Sequence, residues 1–113
     1  MEFRTELNSL VIGKKIKVMK TFKDVSWKQH RLGKGNLQGV LQLENDIELS
    51  IVAGLGMYSA GKSGVREAVD KVEDVSSFEV AVLNSDGKFV GDVKGWLGRE
   101  DINDLISKLC SEN

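Results

Sequence analysis

Ile47-Glu48-Leu49-Ser50-Ile51-Val52-Ala53 places Ile47, Leu49, Ile51 and Ala53 on one face of an extended chain, with Glu48 and Ser50 on the other. Successive side chains of a strand point to opposite faces, so this pattern predicts a half-buried β-strand. Just upstream, Leu41 and Leu43 alternate with Gln42, and Glu44-Asn45-Asp46 supplies turn chemistry. Residues 37–53 therefore read as a β-hairpin. A second hairpin is predicted from Phe78-Glu79-Val80-Ala81-Val82-Leu83, the corner Asn84-Ser85-Asp86-Gly87 and the return Lys88-Phe89-Val90. Strands joined by tight turns pair antiparallel.

Downstream the period changes. Ile102, Leu105, Ile106 and Leu109 follow the i, i+3, i+4, i+7 spacing of one helical face. Glu100 and Asp101 in the first turn and Lys108 in the last complement the helix dipole, which predicts a helix over residues 99–110. Ile16, Val18 and Phe22 suggest a strand over 15–22, and Val65, Ala68, Val69 and Val72 a short helix over 65–75. The expected fold class is α+β: an antiparallel sheet of about five strands with the C-terminal helix on one face. Residues 1–113 are read as a single domain, a length that closes one core.

Composition narrows the chemistry. With 41% hydrophobic and 29% charged residues the chain has the make-up of a folded globule. No apolar stretch approaches the roughly 20 residues a spanning helix needs, and the acidic start Met1-Glu2-Phe3-Arg4-Thr5-Glu6 does not resemble a secretory signal. A cytoplasmic location is expected. One cysteine, Cys110, and one histidine, His30, exclude an internal disulfide and a Cys/His zinc site. Cys110 ends the apolar helical stripe and reads as a small packing residue. With no proline in the chain, the 12 glycines must supply the turns.

Gly56-Met57-Tyr58-Ser59-Ala60-Gly61-Lys62-Ser63 matches the phosphate-loop string G-x-x-x-x-G-K-[ST]. In that chemistry backbone N–H groups cradle phosphates, Lys62 reaches the β and γ phosphates and Ser63 holds Mg²⁺. Nucleotide binding through Gly56, Gly61, Lys62 and Ser63 is the alternative reading. Against it, a phosphate loop follows a parallel strand buried on both faces, whereas 47–53 belongs to a hairpin with a polar face. The favoured reading is a glycine-rich connection, no cofactor and no enzymatic activity.

Charge is unevenly placed. Residues 1–43 carry nine basic and three acidic side chains, a net of +6, and residues 44–113 carry seven and fourteen, a net of −7. Lys14, Lys15, Lys17, Lys20, Lys23, Lys28, Arg31 and Lys34 are interrupted by one acid, Asp24. A strand would set Lys15, Lys17 and Lys23 facing water as a basic stripe. Lys14, Lys15, Lys17, Lys20, Lys23, Trp27, Lys28 and Arg31 are the candidate surface for an anionic partner, Trp27 offering a stacking face. The competing reading is a solvated sheet face, with Trp27 and Trp96 as packing anchors.

The stretches Glu48-Leu49-Ser50-Ile51-Val52-Ala53-Gly54, Phe78-Glu79-Val80-Ala81-Val82-Leu83 and Asp92-Val93-Lys94-Gly95-Trp96-Leu97, followed by a helix with Asp101, Asn103 and Ile106, resemble small uncharacterised bacteriophage-encoded proteins. The resemblance spans residues 47–109 and carries no catalytic residue over. It implies a cytoplasmic accessory protein that acts by binding. The expectation is thus a non-enzymatic binding module whose partner is a host protein or nucleic acid, with self-association left open.

Overall fold

A computed structural model describes residues 9–12, 15–18, 20–31 and 33–111. Its strands are β1 (Ser9–Ile12), β2 (Lys15–Val18), β3 (Ser26–Gln29), β4 (Asn36–Gln42), β5 (Glu48–Gly54), β6 (Ala60–Gly61), β7 (Val75–Leu83) and β8 (Lys94–Leu97), followed by the helix α1 (Arg99–Ser111). Strands β3 to β8 form one antiparallel sheet in the order β3-β4-β5-β7, and both β6 and β8 pair with β7. Strands β1 and β2 pair with each other as a separate two-stranded unit. The α+β architecture with its C-terminal helix is as the sequence predicts, and no described helix is long and apolar enough to cross a membrane.

The central hairpin is β4-β5. Leu41 pairs with Leu49, Gly39 with Ile51 and Leu37 with Ala53, so one face collects the apolar positions of both strands. Val80 and Val82 of β7 continue the same rows opposite Ile51 and Leu49. Ile102 and Ile106 of α1 belong to the buried cluster that these rows form. Leu105 and Leu109 flank it half-buried, as does Cys110. Phe78 is fully buried at the centre.

The second predicted hairpin forms its corner but not its return strand. Gly87 N–H donates to Asn84 O (2.9 Å) with Gly87 in the left-handed region, and the Asn84 side chain accepts from Asp86 and Lys88. Beyond it the return limb makes one bridge, Phe89 to Leu83, flanked by Asn84 N–H donating to Lys88 O (2.9 Å) and Val90 N–H to Val82 O (2.7 Å), and the longer strand on the β7 edge comes later, as β8. Asn84, Ser85, Asp86 and Gly87 explain the corner; nothing in Lys88-Phe89-Val90 buries the return limb, and Phe89 is exposed.

Two sequence expectations are corrected. Phe22 is not in a strand: β2 ends at Val18, and Phe22–Asp24 is a 3₁₀ turn. Thr21 and Asp24 close a capping box around it, and Phe22 N–H donates to Asn103 Oδ1 on α1 (2.7 Å). Residues 65–75 are not a helix apart from a 3₁₀ turn at Val72–Asp74. The helical bond from Val69 N–H to Val65 O is replaced at both ends: Val69 donates to Gly35 O (2.9 Å) and Val65 O accepts from Gly61 N–H (2.9 Å). The Glu67 carboxylate meanwhile accepts from Ser63 N–H and Ser63 Oγ. Local polar competition of this kind displaces helix wherever the backbone finds other partners.

Candidate functional site

The phosphate-loop residues lie in a sheet connection. Gly56 is in the turn after β5, Gly61 is buried in β6, and Lys62 and Ser63 are exposed in the next turn. A phosphate cradle needs N–H groups converging on open space at the start of a helix. Here Met57 N–H donates to Gly54 O, Tyr58 N–H to Glu79 Oε1, Gly61 N–H to Val65 O and Ser63 N–H to Glu67 Oε2. Two of the four acceptors are carboxylates, and the residues directly after Ser63 form turns and bends, with no helix starting there.

The basic residues fall on several elements. Lys14 lies outside the described residues, and of Lys15 and Lys17 the backbone alone is described, in β2. Lys20 Nζ donates to Gln42 O (2.6 Å), which ties that side chain to the end of β4. Lys23, Lys28 and Arg31 are exposed, Lys28 on the edge strand β3. Lys28 and Lys34 line an open groove of ≈ 500 Å³ together with Trp27, Asn36, Val69 and Asp70. Asn36 Oδ1 is buried beside it without a hydrogen-bond partner.

Trp27 is an anchor. Its ring centroid is 5.8 Å from Phe22 and 5.6 Å from Phe78, in tilted contacts that join β3 to the core. Gly39, its register partner on β4, makes the room: a Cβ there would collide with the Trp27 ring and Val25. Arg99 completes the arrangement, its Cζ 5.3 Å from the centroids of both Phe22 and Phe78. Its guanidinium donates to Val75 O and Val72 O, each at 2.8 Å, so both ends of the fork are satisfied.

A second site has the same parts and an opposite outcome. Tyr58 and Trp96 have ring centroids 6.3 Å apart, and Arg66 Cζ lies over both, at 5.2 and 5.6 Å. Trp96 is 50% and Tyr58 56% exposed. Trp96 N–H donates to Tyr58 O (2.9 Å), and Tyr58 N–H donates to Glu79 Oε1 (2.8 Å), so the two residues' backbones are held side by side. Gly95 permits the approach, because a Cβ there would run into Tyr58 Cβ. Trp96 has φ +61°, a left-handed conformation that costs an ordinary side chain about 1–2 kcal/mol. Among the described residues Arg66 makes no hydrogen bond or ion pair.

Trp96 is therefore no packing anchor, contrary to the sequence reading. Tyr58, Arg66 and Trp96 sit on three different segments, brought together by the pairing of β6 and β8 along β7. The one local sign was Gly95-Trp96 at an otherwise strand-like position. Comparison with known proteins supplies no relative: no protein-family model, curated protein or solved structure matches the chain.

Proposed function

We propose that this chain is a non-enzymatic binding module whose contact surface is the corner formed by Tyr58, Arg66 and Trp96. The observation that carries the reading is Trp96 itself. A half-exposed indole held at φ +61° gains little from burial and bears a backbone cost that glycine would avoid. Tryptophan, tyrosine and arginine are also the residues on which interface energy concentrates. The resemblance of residues 47–109 to small bacteriophage-encoded proteins agrees with an accessory protein that acts on a host protein in the bacterial cytoplasm.

Trp96→Gly tests this, since glycine suits the left-handed conformation while the side chain that carries the indole is lost. A partner captured from bacterial lysate and then purified should bind the wild-type chain and lose at least about tenfold in affinity for Trp96→Gly. Equal affinity for the two would sink the proposal.

A second reading concerns the basic side, favoured by the groove that Lys28, Lys34 and Trp27 share. Lys28 and Lys34 in the groove, together with the exposed Lys23 and Arg31 and with Lys14, Lys15, Lys17 and Lys20 of the same basic stretch of sequence, would attract a nucleic-acid backbone. Binding of that kind weakens steeply as salt rises, and Lys28→Glu with Lys34→Glu should flatten the slope. Salt-independent binding, or none at low salt, leaves a solvated edge.

A further inference from the structure

The contrast between the two arginines defines what the corner lacks. Arg99 lies over two rings and its fork ends on two backbone carbonyls. Arg66 lies over two rings at nearly the same distances, yet among the described residues nothing accepts its hydrogen bonds. Ring faces meet a guanidinium's charge but do not supply the in-plane oxygen acceptors that its five N–H groups fit. The complementary group is a planar oxyanion, which arginine holds through two parallel hydrogen bonds.

Resting on the reading of this corner as the contact surface, we infer that its partner presents an acidic, aliphatic peptide segment, with a carboxylate docked on the N–H edge of Arg66 where it lies over the two rings. The surroundings choose peptide over nucleic acid. Each anchor has an exposed aliphatic residue within three positions in sequence: Leu55 before Tyr58, Val65 before Arg66 and Val93 before Trp96. Aliphatic side chains of a peptide would cover these; phosphates and sugars would not. The backbones of Tyr58 and Trp96 are held by Glu79 and by each other before anything binds, so the pair of rings beneath Arg66 needs little ordering.

Selection from a random-peptide library on the immobilised wild-type chain, with subtraction on Trp96→Gly, tests the inference. A random single-stranded oligonucleotide pool is run in parallel. The expected result is Trp96-dependent peptides enriched in Asp or Glu beside Leu, Ile or Val. Synthetic copies should bind Arg66→Gln about tenfold or more weakly, and Arg66→Lys several-fold more weakly because the planar fork is lost. Trp96-dependent peptides without acids, or Arg66→Gln binding as well as wild type, would overturn the carboxylate while leaving the corner as the site. Trp96-dependent oligonucleotides would overturn the peptide class and likewise leave the site. If nothing selected depends on Trp96, both the inference and the reading beneath it fall.

Discussion

Two arginines of this fold are each placed over a pair of aromatic rings, and only one of the two arrangements is closed. Around Arg99 the rings are Phe22 and Phe78, the second fully buried, and the guanidinium joins α1 to the backbone entering β7. Around Arg66 the rings are Tyr58 and Trp96, both at least half exposed, and the guanidinium joins no other element by a hydrogen bond among the described residues. The geometry of contact is nearly the same and the surroundings differ. The comparison separates what cation–π stacking does inside a core, where it orients a fork toward carbonyls, from what it does at a surface, where it holds a fork ready.

The largest effect that could break this contrast is a paired tryptophan truncation. Trp27→Ala removes a ring packed on Phe22, Phe78 and Gly39, and should destabilise the fold by about 3 kcal/mol through transfer and cavity terms. Trp96→Gly should stay within about 1 kcal/mol of wild type, since relief at φ +61° offsets the lost contact with Tyr58. Urea denaturation of both variants measures the difference, and equal destabilisation would erase the distinction between anchor and platform.

Next in size is the arginine pair. Arg99→Ala removes the guanidinium donors from the carbonyls of Val75 and Val72, the latter keeping the Val75 N–H, and strips charge from the faces of two rings, at a cost of about 2 kcal/mol. Arg66→Ala should change stability by less than about 0.5 kcal/mol, as expected of an exposed side chain without such bonds. Comparable losses at the two positions would show that the corner is structural.

Gly95→Ala sharpens the comparison at smaller scale. The new methyl meets Tyr58 Cβ, so Tyr58 must move and the ring pair with Trp96 should separate. A cost of about 1 kcal/mol is expected, together with a change in Trp96 fluorescence that Tyr58→Ala, which removes the ring, reproduces. Trp27 also emits, so the measurement is made against the same substitutions in a Trp27→Phe background. An unchanged Trp96 spectrum would mean the ring pair does not depend on this approach.

How far these features were legible in sequence follows from how local their causes are. The β4-β5 hairpin and α1 were readable because alternation at Leu41, Leu49 and Ile51, and helical spacing at Ile102 and Ile106, are written into consecutive residues. Residues 65–75 carry helical spacing too, yet Gly35, far off in sequence, and Gly61, in the turn just before, take the bonds a helix would have used. The turn at Phe22 had a local sign, Thr21 followed three residues later by Asp24, which the apolar alternation of Ile16, Val18 and Phe22 obscured. Tyr58, Arg66 and Trp96 had none as a group, because strand pairing along β7 alone brings them together.

The smallest expected effect is none, and it concerns the string Gly56 to Ser63. Lys62 is exposed and could in principle follow a phosphate, so the lysine alone does not decide the matter. The backbone does. A nucleotide would have to displace Glu67 from Ser63 N–H and Glu79 from Tyr58 N–H, exchanging intramolecular carboxylate acceptors for a ligand that must also order itself. Releasing Glu79 would loosen Tyr58 as well, so phosphate binding and the aromatic corner compete for the same backbone. Mg-ATP or Mg-GTP at millimolar concentration should therefore leave the melting temperature unchanged for wild type and for Lys62→Ala alike. Should the wild type rise in melting temperature and Lys62→Ala fail to, the loop must rearrange to bind, and Trp96 fluorescence would then have to change in step with saturation.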